Sequence, residues 1–298
     1  MKFTKRGCME RGSKVAIVCC SNGQPRSGSD RIDRLEQTLL QLGVVPVLSD
    51  CMYAEDSVFG ASGEERARCL MDFYRDDEIK MIFDISGGDI ANEILPYLDF
   101  ELIAKSGKSF WGYSDLTTVL NAVYAKTGRP SVLYQIRNLI YRDAESQKKY
   151  FSNTVLCGKR DLFSFHYEFV QGRHLEGIAV GGNIRCLLKL AGTEYWPDMG
   201  QKVLVLESFH GKVPQMVTYL NQLKQIGVFE EINGILLGTF TEMEESCVPD
   251  ITELVKRYAG TRLPIVKTDE IGHGADSKGI VIGEEICLEE RAARMGSA

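Results

Sequence analysis

The sequence predicts an α/β protein: an N-terminal, mostly parallel, doubly wound sheet, followed by a smaller, β-rich α/β domain. Three observations predict this. From residue 14 to 127, short apolar runs alternate with amphipathic stretches of helical spacing, which implies a parallel sheet covered on both faces. Between about 131 and 175 that rhythm lapses. Beyond it, short strands become denser and two helical segments separate them.

Each element has a local reason. Lys14–Cys20 (KVAIVCC) is an unbroken apolar run and reads as a buried strand. Asp30–Leu42 sets Ile32, Leu35, Leu39 and Leu42 at helical spacing and stops at Gly43, a favourable residue just past a helix end. Val44–Leu48 reads as the second strand. Glu64–Arg75 carries Ala67, Leu70, Met71 and Tyr74 on one helical face. Lys80–Ile85 is strand-like and runs into Ser86-Gly87-Gly88-Asp89. Asp89 is placed to cap a short helix ending near Leu95, before Pro96. Ser109–Tyr113 is a strand leading straight into a helix at Asp115–Lys126, which Gly128 and Pro130 stop. Phe163, Phe165, Tyr167 and Phe169 alternate strictly, which predicts a half-buried strand. Lys202–Glu207, Gly234–Phe240 and Gly279–Ile282 read as later strands, with helices at Val213–Ile226 and Ile251–Tyr258. The expected division is 1–135 for the first domain, 136–170 for a crossover and 171–298 for the second.

Length and composition agree. At roughly 100–200 residues per domain, 298 residues make two domains or one large one. Hydrophobic residues at 44% and charged residues at 26% exclude disorder and coiled coil as the main architecture. The net charge of −6 gives no general attraction for a polyanion, so nucleic acid is not an expected partner. The longest early apolar run, Val15–Cys20, is too short for a signal-peptide core or a spanning helix. The basic start at Lys2, Lys5 and Arg6 is followed by no cleavable apolar segment, and no membrane partner is expected. Nine scattered cysteines without paired CxxC spacing give no zinc framework and suit reduced thiols in a cytoplasmic protein.

Three constellations can carry chemistry. In Gly112-Tyr113-Ser114-Asp115, a serine sits where a strand gives way directly to a helix. This placement resembles a nucleophile elbow, with N–H groups at the helix start able to stabilise an oxyanion. Leu116 breaks the G-x-S-x-G pattern, and a plain helix cap is the competing reading of Ser114. Ser86-Gly87-Gly88-Asp89 is a second strand-to-helix loop, where paired glycines let backbone N–H groups approach a ligand oxygen, or simply make a tight turn. Both loops open at the carboxyl edge of the sheet, where open α/β sheets bind ligands. His273, in Gly272-His273-Gly274, is the one histidine of four flanked by glycines, which leave its ring accessible; a solvated loop histidine is the alternative. Histidine ordinarily ionises near neutrality and serves as a general base when a carboxylate orients it. Glu207 ends the apolar run Val203–Leu206, an unusual place for a charge without a partner.

These residues stand within a larger pattern. The chain resembles the LD-carboxypeptidase family of serine peptidases, which includes the microcin C immunity proteins. The resemblance runs in order through GEERARCLMDFYRDDEIKMIFDISGGDIANEILPYLDFELI, FWGYSDLTTVLNAVYAKTG, GGNIRCLLKLAGTEYWPD, VLVLE with QLKQIGVFEEINGILLGTF, and GHG. It implies that Ser114 of GYSD is the nucleophile, Glu207 at the end of the LxLE strand the carboxylate, and His273 of GHG the base. It also implies an interdomain site, no metal or organic cofactor, and a homodimer. The N–H groups of Gly88 and Asp115 are the expected oxyanion donors. Gly87, Asn183, Arg185 and Trp196 (with Tyr195) are candidate substrate contacts; packing for the aromatics and a surface salt bridge for Arg185 are the alternatives. Ser86 replaces the family's more usual arginine before Gly-Gly, and Ala-Asp-Ser-Lys follows GHG in place of a Pro-rich segment. The substrate is therefore left between two small molecules. One is a muropeptide, cleaved at an L,D-peptide bond to release a C-terminal D-amino acid in cell-wall recycling. The other is a peptidyl- or aminoacyl-nucleotide antibiotic. A catalytically silent muropeptide-binding protein is a third reading, and its expected mark, loss of a triad member, is absent.

Overall fold

The computed structural model describes residues 9–245 and 248–290. The basic start at Lys2, Lys5 and Arg6, together with Cys8 and Cys247, lies outside them.

The first half builds strands β1 (Lys14–Val18), β2 (Val45–Leu48), β3 (Ile79–Asp84), β4 (Ser109–Gly112) and β5 (Ser131–Leu133), interleaved with helices α1 (Ser29–Leu42), α2 (Gly63–Arg75), α3 (Phe100–Ser106) and α4 (Thr117–Thr127). Helix α5 (Ala144–Val155) follows, then β6 (Glu168–Gln171), β7 (His174–Asn183), α6 (Ile184–Leu188) and β8 (Lys202–Ser208). The chain continues through α7 (Val213–Gln225), α8 (Val228–Glu231), β9 (Gly234–Phe240), α9 (Thr241–Glu244) and α10 (Ile251–Ala259). It closes with β10 (Ile265–Lys267), β11 (Ile280–Ile282) and β12 (Glu285–Glu289).

These strands form two six-stranded sheets, ordered β11-β5-β4-β3-β1-β2 and β12-β7-β8-β9-β10-β6. In the first, β1 to β5 run parallel and β11 closes an edge antiparallel. In the second, β7 to β10 run parallel between antiparallel β12 and β6. The predicted two-domain α/β architecture is the one found. Ile280–Ile282 returns from the second half of the chain to edge the first sheet.

The helix ends follow the local rules. Gly43, Gly107 and Gly128 end α1, α3 and α4 in left-handed conformation, which glycine adopts without a Cβ penalty. Ser62 and Glu65 form a reciprocal capping box at the start of α2. Asp89 does not cap a helix: the following segment is a 3-10 helix over Ala91–Tyr97 with Pro96 inside it, and the Asp89 carboxylate turns to Arg185 instead. The predicted strand through Phe163–Phe169 is also corrected. Phe163 ends a 3-10 turn and packs on Trp111, and pairing with β10 starts only at Glu168. The period of two there comes from rings meeting edge to face, Phe165 on Tyr167 and Tyr167 on Phe169.

One hydrophobic cluster spans both sheets, joining Leu116, Val119 and Leu133 to Ala179, Val205, Leu236 and Ile271. Polar contacts fix the register of that junction. The Asn121 amide, fully buried on α4, accepts from the Gly181 N–H and donates to the Gly181 carbonyl. The Asn183 N–H donates to Thr117 Oγ1. A Cβ on Gly182 would lie 2.7 Å from that same oxygen, so glycine there lets α4 approach the end of β7. Among the described residues, no helix is long and apolar enough to cross a membrane. Cys19, Cys20, Cys51 and Cys186 are buried free thiols, whereas Cys157 and Cys287 are exposed.

Candidate active site at the junction of the two sheets

In the order β2-β1-β3 the chain adds β2 on one side of β1 and β3 on the other, so the loops leaving β1 and β3 diverge and open a crevice at their carboxyl ends. The loop after β3 is tied down from below. Asp84, buried at the end of β3, accepts from the N–H and hydroxyl of Ser86 and from the Cys20 N–H. Burial pushes its carboxyl above the usual carboxylate range, against the lowering effect of those donors. The Ser86 hydroxyl in turn accepts from the Ser21 N–H at 2.9 Å. Serine before Gly-Gly thus points inward and joins the ends of β1 and β3. Gly88 has φ +122°, and a Cβ on it would strike the Asn22 side chain at 2.1 Å. Asn22 Oδ1 also accepts from the Asp89 N–H. A Cβ on Gly87 would meet open space.

Ser114 follows β4 with φ +55°, a left-handed conformation that a non-glycine residue adopts under strain. It begins a 3-10 turn and makes no side-chain cap, so the plain capping role does not hold. The next residue anchors the turn. Asp115, fully buried, accepts from Ser21 Oγ at 2.7 Å and the Ala91 N–H at 2.8 Å and pairs with Lys189.

The second sheet supplies the facing groups from its own carboxyl edge. Glu207, at the end of β8, is fully buried beside Asn183 in register. His273 lies on the loop after β10. Gly238 lets that loop approach β9, since a Cβ there would come within 2.2 Å of the Ile271 carbonyl oxygen. Ser277, in the segment after GHG, donates its hydroxyl to the Gly272 carbonyl at 2.6 Å and holds the loop closed.

Ser114, His273 and Glu207 form one hydrogen-bonded chain. Glu207 Oε2 lies 2.7 Å from His273 Nδ1, and His273 Nε2 lies 3.3 Å from Ser114 Oγ. An ionised carboxylate only accepts, so Nδ1 of the neutral ring carries the proton and Nε2 presents its lone pair to the serine hydroxyl.

Sequence reasoning missed two neighbours of this chain. Tyr113 donates its hydroxyl to Glu207 Oε2 at 3.2 Å, and its ring meets His273 edge-on at 4.5 Å. Burial, reinforced by the Glu207 charge, pushes the phenol well above the ordinary tyrosine range and keeps it a neutral donor. The other oxygen, Glu207 Oε1, has no hydrogen-bond partner among the described residues. Phe209, 41% exposed, leans over the imidazole at 4.9 Å between centroids. Tyr113 adjoins the serine at a strand end, which is a local signal; Phe209 gives none.

The chain opens into a cleft of about 560 Å³. Gly87, Gly88, Asn183 and Arg185 line it, and so do Gln135, the last residue assigned to the first domain, and Arg137 from the stretch read as crossover. Asn183 also caps α6 through Cys186 N. Arg185 is ion-paired with Asp89 and donates to the Gly88 carbonyl. Trp196 and Tyr195 do not line the cleft: Trp196 packs against the hydrophobic core, and Tyr195 lies against Phe100 with Lys126 over its ring.

Residues 15–134 match the LD-carboxypeptidase N-terminal domain, and residues 176–288 match the LD-carboxypeptidase C-terminal domain. A probable murein peptide carboxypeptidase of Bacillus subtilis is 27% identical, with 95% of this chain and 91% of that protein covered. The crystal structure of muramoyltetrapeptide carboxypeptidase from Oxalobacter formigenes superposes with a TM-score of 0.78 at 24% identity, covering 94% of this chain and 96% of that one. The microcin C7 self-immunity protein MccF, solved in complex with aspartyl sulfamoyl adenosine, gives 0.83 at 19% identity, covering 96% and 98%.

Proposed function

The chain belongs to the LD-carboxypeptidase family and is a serine-type carboxypeptidase; from that premise we propose that Ser114, His273 and Glu207 hydrolyse an L,D-peptide bond of a murein tetrapeptide. The observation that carries this reading is the continuous hydrogen-bonded chain from Glu207 through His273 to Ser114. His273 Nε2 takes the Ser114 proton as Oγ forms its bond to the scissile carbonyl carbon. The N–H groups of Gly88 and Asp115 stabilise the resulting oxyanion. The C–N bond then breaks, His273 returns the proton to the leaving amine, and a D-amino acid departs. Water, deprotonated by the same imidazole, releases the acyl group from Ser114. Glu207 holds the ring and balances the imidazolium charge without taking its proton.

The murein reading is favoured over nucleotide-linked substrates by the placement of Trp196, the aromatic candidate for stacking on a base, which packs half-buried against the core and does not line the cleft. Mass spectrometry after incubation with a murein tetrapeptide and, separately, with an aminoacyl-sulfamoyl adenosine tests it. Loss of one C-terminal D-residue from the tetrapeptide is expected. An untouched tetrapeptide beside a cleaved nucleotide conjugate would replace this reading with the immunity-type one.

Tyr113→Phe removes one of the two hydrogen bonds that Glu207 accepts. A bond to a charged group contributes about 1.5–3 kcal/mol, so kcat should fall roughly tenfold to a hundredfold with KM little changed. Because the Tyr113 phenol is pushed up, the wild-type hydroxyl keeps its proton on the alkaline side. Turnover should therefore show no descending limb from this residue on the alkaline side. A steady decline above pH 8 in wild type that vanished in Tyr113→Phe would contradict this role.

A further inference from the structure

We propose that Arg137 is the receptor for the substrate's terminal carboxylate, which makes the cleft selective for a free C-terminus; this rests on the carboxypeptidase reading above. A carboxypeptidase must tell the last residue from the rest, and the chemical difference is one negative charge. The cleft therefore needs a cation that the protein has not already neutralised.

The cations around the cleft divide on that criterion. Arg185 is ion-paired with Asp89, and Lys189 with Asp115 and Asp89. His210 faces Glu242 at 3.8 Å. Arg137 differs: among the described residues its side chain bonds only neutral amide oxygens. Nε donates to Gln135 Oε1 at 3.2 Å and Nη1 to Gln24 Oε1 at 3.3 Å. Both amides orient the guanidinium and leave its charge intact, with donors to spare in a planar fork suited to a carboxylate.

Its supports are themselves fixed. Gln24 N donates to the Met52 carbonyl, and the Gln24 carbonyl accepts from Ala54 N. Gln135 is almost fully buried and also caps the 3-10 turn that carries Arg137. Topology places this turn beside the nucleophile. β5 pairs in parallel with β4, and the Tyr134 N–H donates to the Gly112 carbonyl, so Arg137 leaves one strand end as Ser114 leaves the adjacent one. Both line the same cleft. The scissile carbonyl of the penultimate residue and the carboxylate of the last one are separated by a single N–Cα unit, so neighbouring strand ends suit them. Arg185, one of the candidate substrate contacts read from the sequence, is kept from this role by its own ion pair with Asp89.

The test compares a tetrapeptide ending in D-alanine with its C-terminal carboxamide. Binding is measured by calorimetry to the Ser114→Ala protein, where neither is turned over, and kcat/KM is measured in otherwise wild-type protein. The acid should bind at least about tenfold more tightly than the amide, as expected for one charged hydrogen-bonded pair. Adding Arg137→Gln should remove that preference. In turnover, Arg137→Gln should lower kcat/KM about a hundredfold for the acid and little for the amide, with Arg137→Lys recovering part of the loss. Equal losses for acid and amide in Arg137→Gln would mean a structural role and overturn the proposal, as would equal binding of the two peptides. Wild-type protein that cleaves neither peptide, while Ser114→Ala still prefers the acid through Arg137, would sink the murein reading and leave the carboxylate site standing.

Discussion

Ser114→Ala should fold as wild type does and lose about four orders of magnitude or more in kcat. The hydroxyl makes no cap, and its hydrogen bond is to His273, so its removal takes little from the fold. The turn itself is held by Asp115, through Ser21, Ala91 and Lys189, and these contacts do not involve the serine side chain. Members of such a chain act as a unit, so deleting the nucleophile forfeits nearly all that the base and carboxylate contribute. Steady-state kinetics beside a thermal melt separate the two effects. A variant with near wild-type turnover, or one that loses activity only because it unfolds, would remove Ser114 from the chemistry.

Glu207→Gln is the second large effect. The side chain is fully buried, and its Oε2 accepts from both His273 Nδ1 and the Tyr113 hydroxyl. An amide of the same size offers a donor to Nδ1 as readily as an acceptor, which favours the tautomer with the proton on Nε2. The ring then faces Ser114 as a donor and cannot take its proton. The corresponding carboxylate-to-amide change in serine proteases of other folds costs about 10⁴ in kcat, and a loss of 10³–10⁴ is expected here. Neutralising a buried carboxylate should leave stability close to wild type, because the charge no longer needs compensation. Full activity in Glu207→Gln would show that His273 is oriented by something else.

Much of this architecture is legible in the sequence because it is local. The apolar runs at Lys14 and Met81, and the helical faces built on Leu35 and Leu70, bury where their periodicity places them. Glycine at 43 and 128 stops helices for a reason that depends only on its own backbone. What local patterns do not carry is the identity of distant partners. Asp89 fits a capping rule, yet its ion pair with Arg185, 96 residues away, decides its orientation. The aromatic run from Phe163 imitates a strand because ring-on-ring packing also repeats every second residue. Arg137 lies in a stretch without strand or helix rhythm, and only the pairing of β5 with β4 brings it beside Ser114. Glu207 shows the opposite case. A charge ending an apolar strand needs compensation, and the structure supplies it in His273 and Tyr113.

The central claim is that Ser114 Oγ forms a covalent bond with the acyl portion of the substrate. The direct measurement is mass spectrometry of the protein quenched in acid during turnover of a murein tetrapeptide, followed by peptide mapping. The account predicts an adduct with the mass of the substrate lacking its terminal D-residue, less one water, on the peptide containing Ser114. It should be absent from Ser114→Ala. Turnover that persists in Ser114→Ala, or an adduct on another residue, would contradict the account.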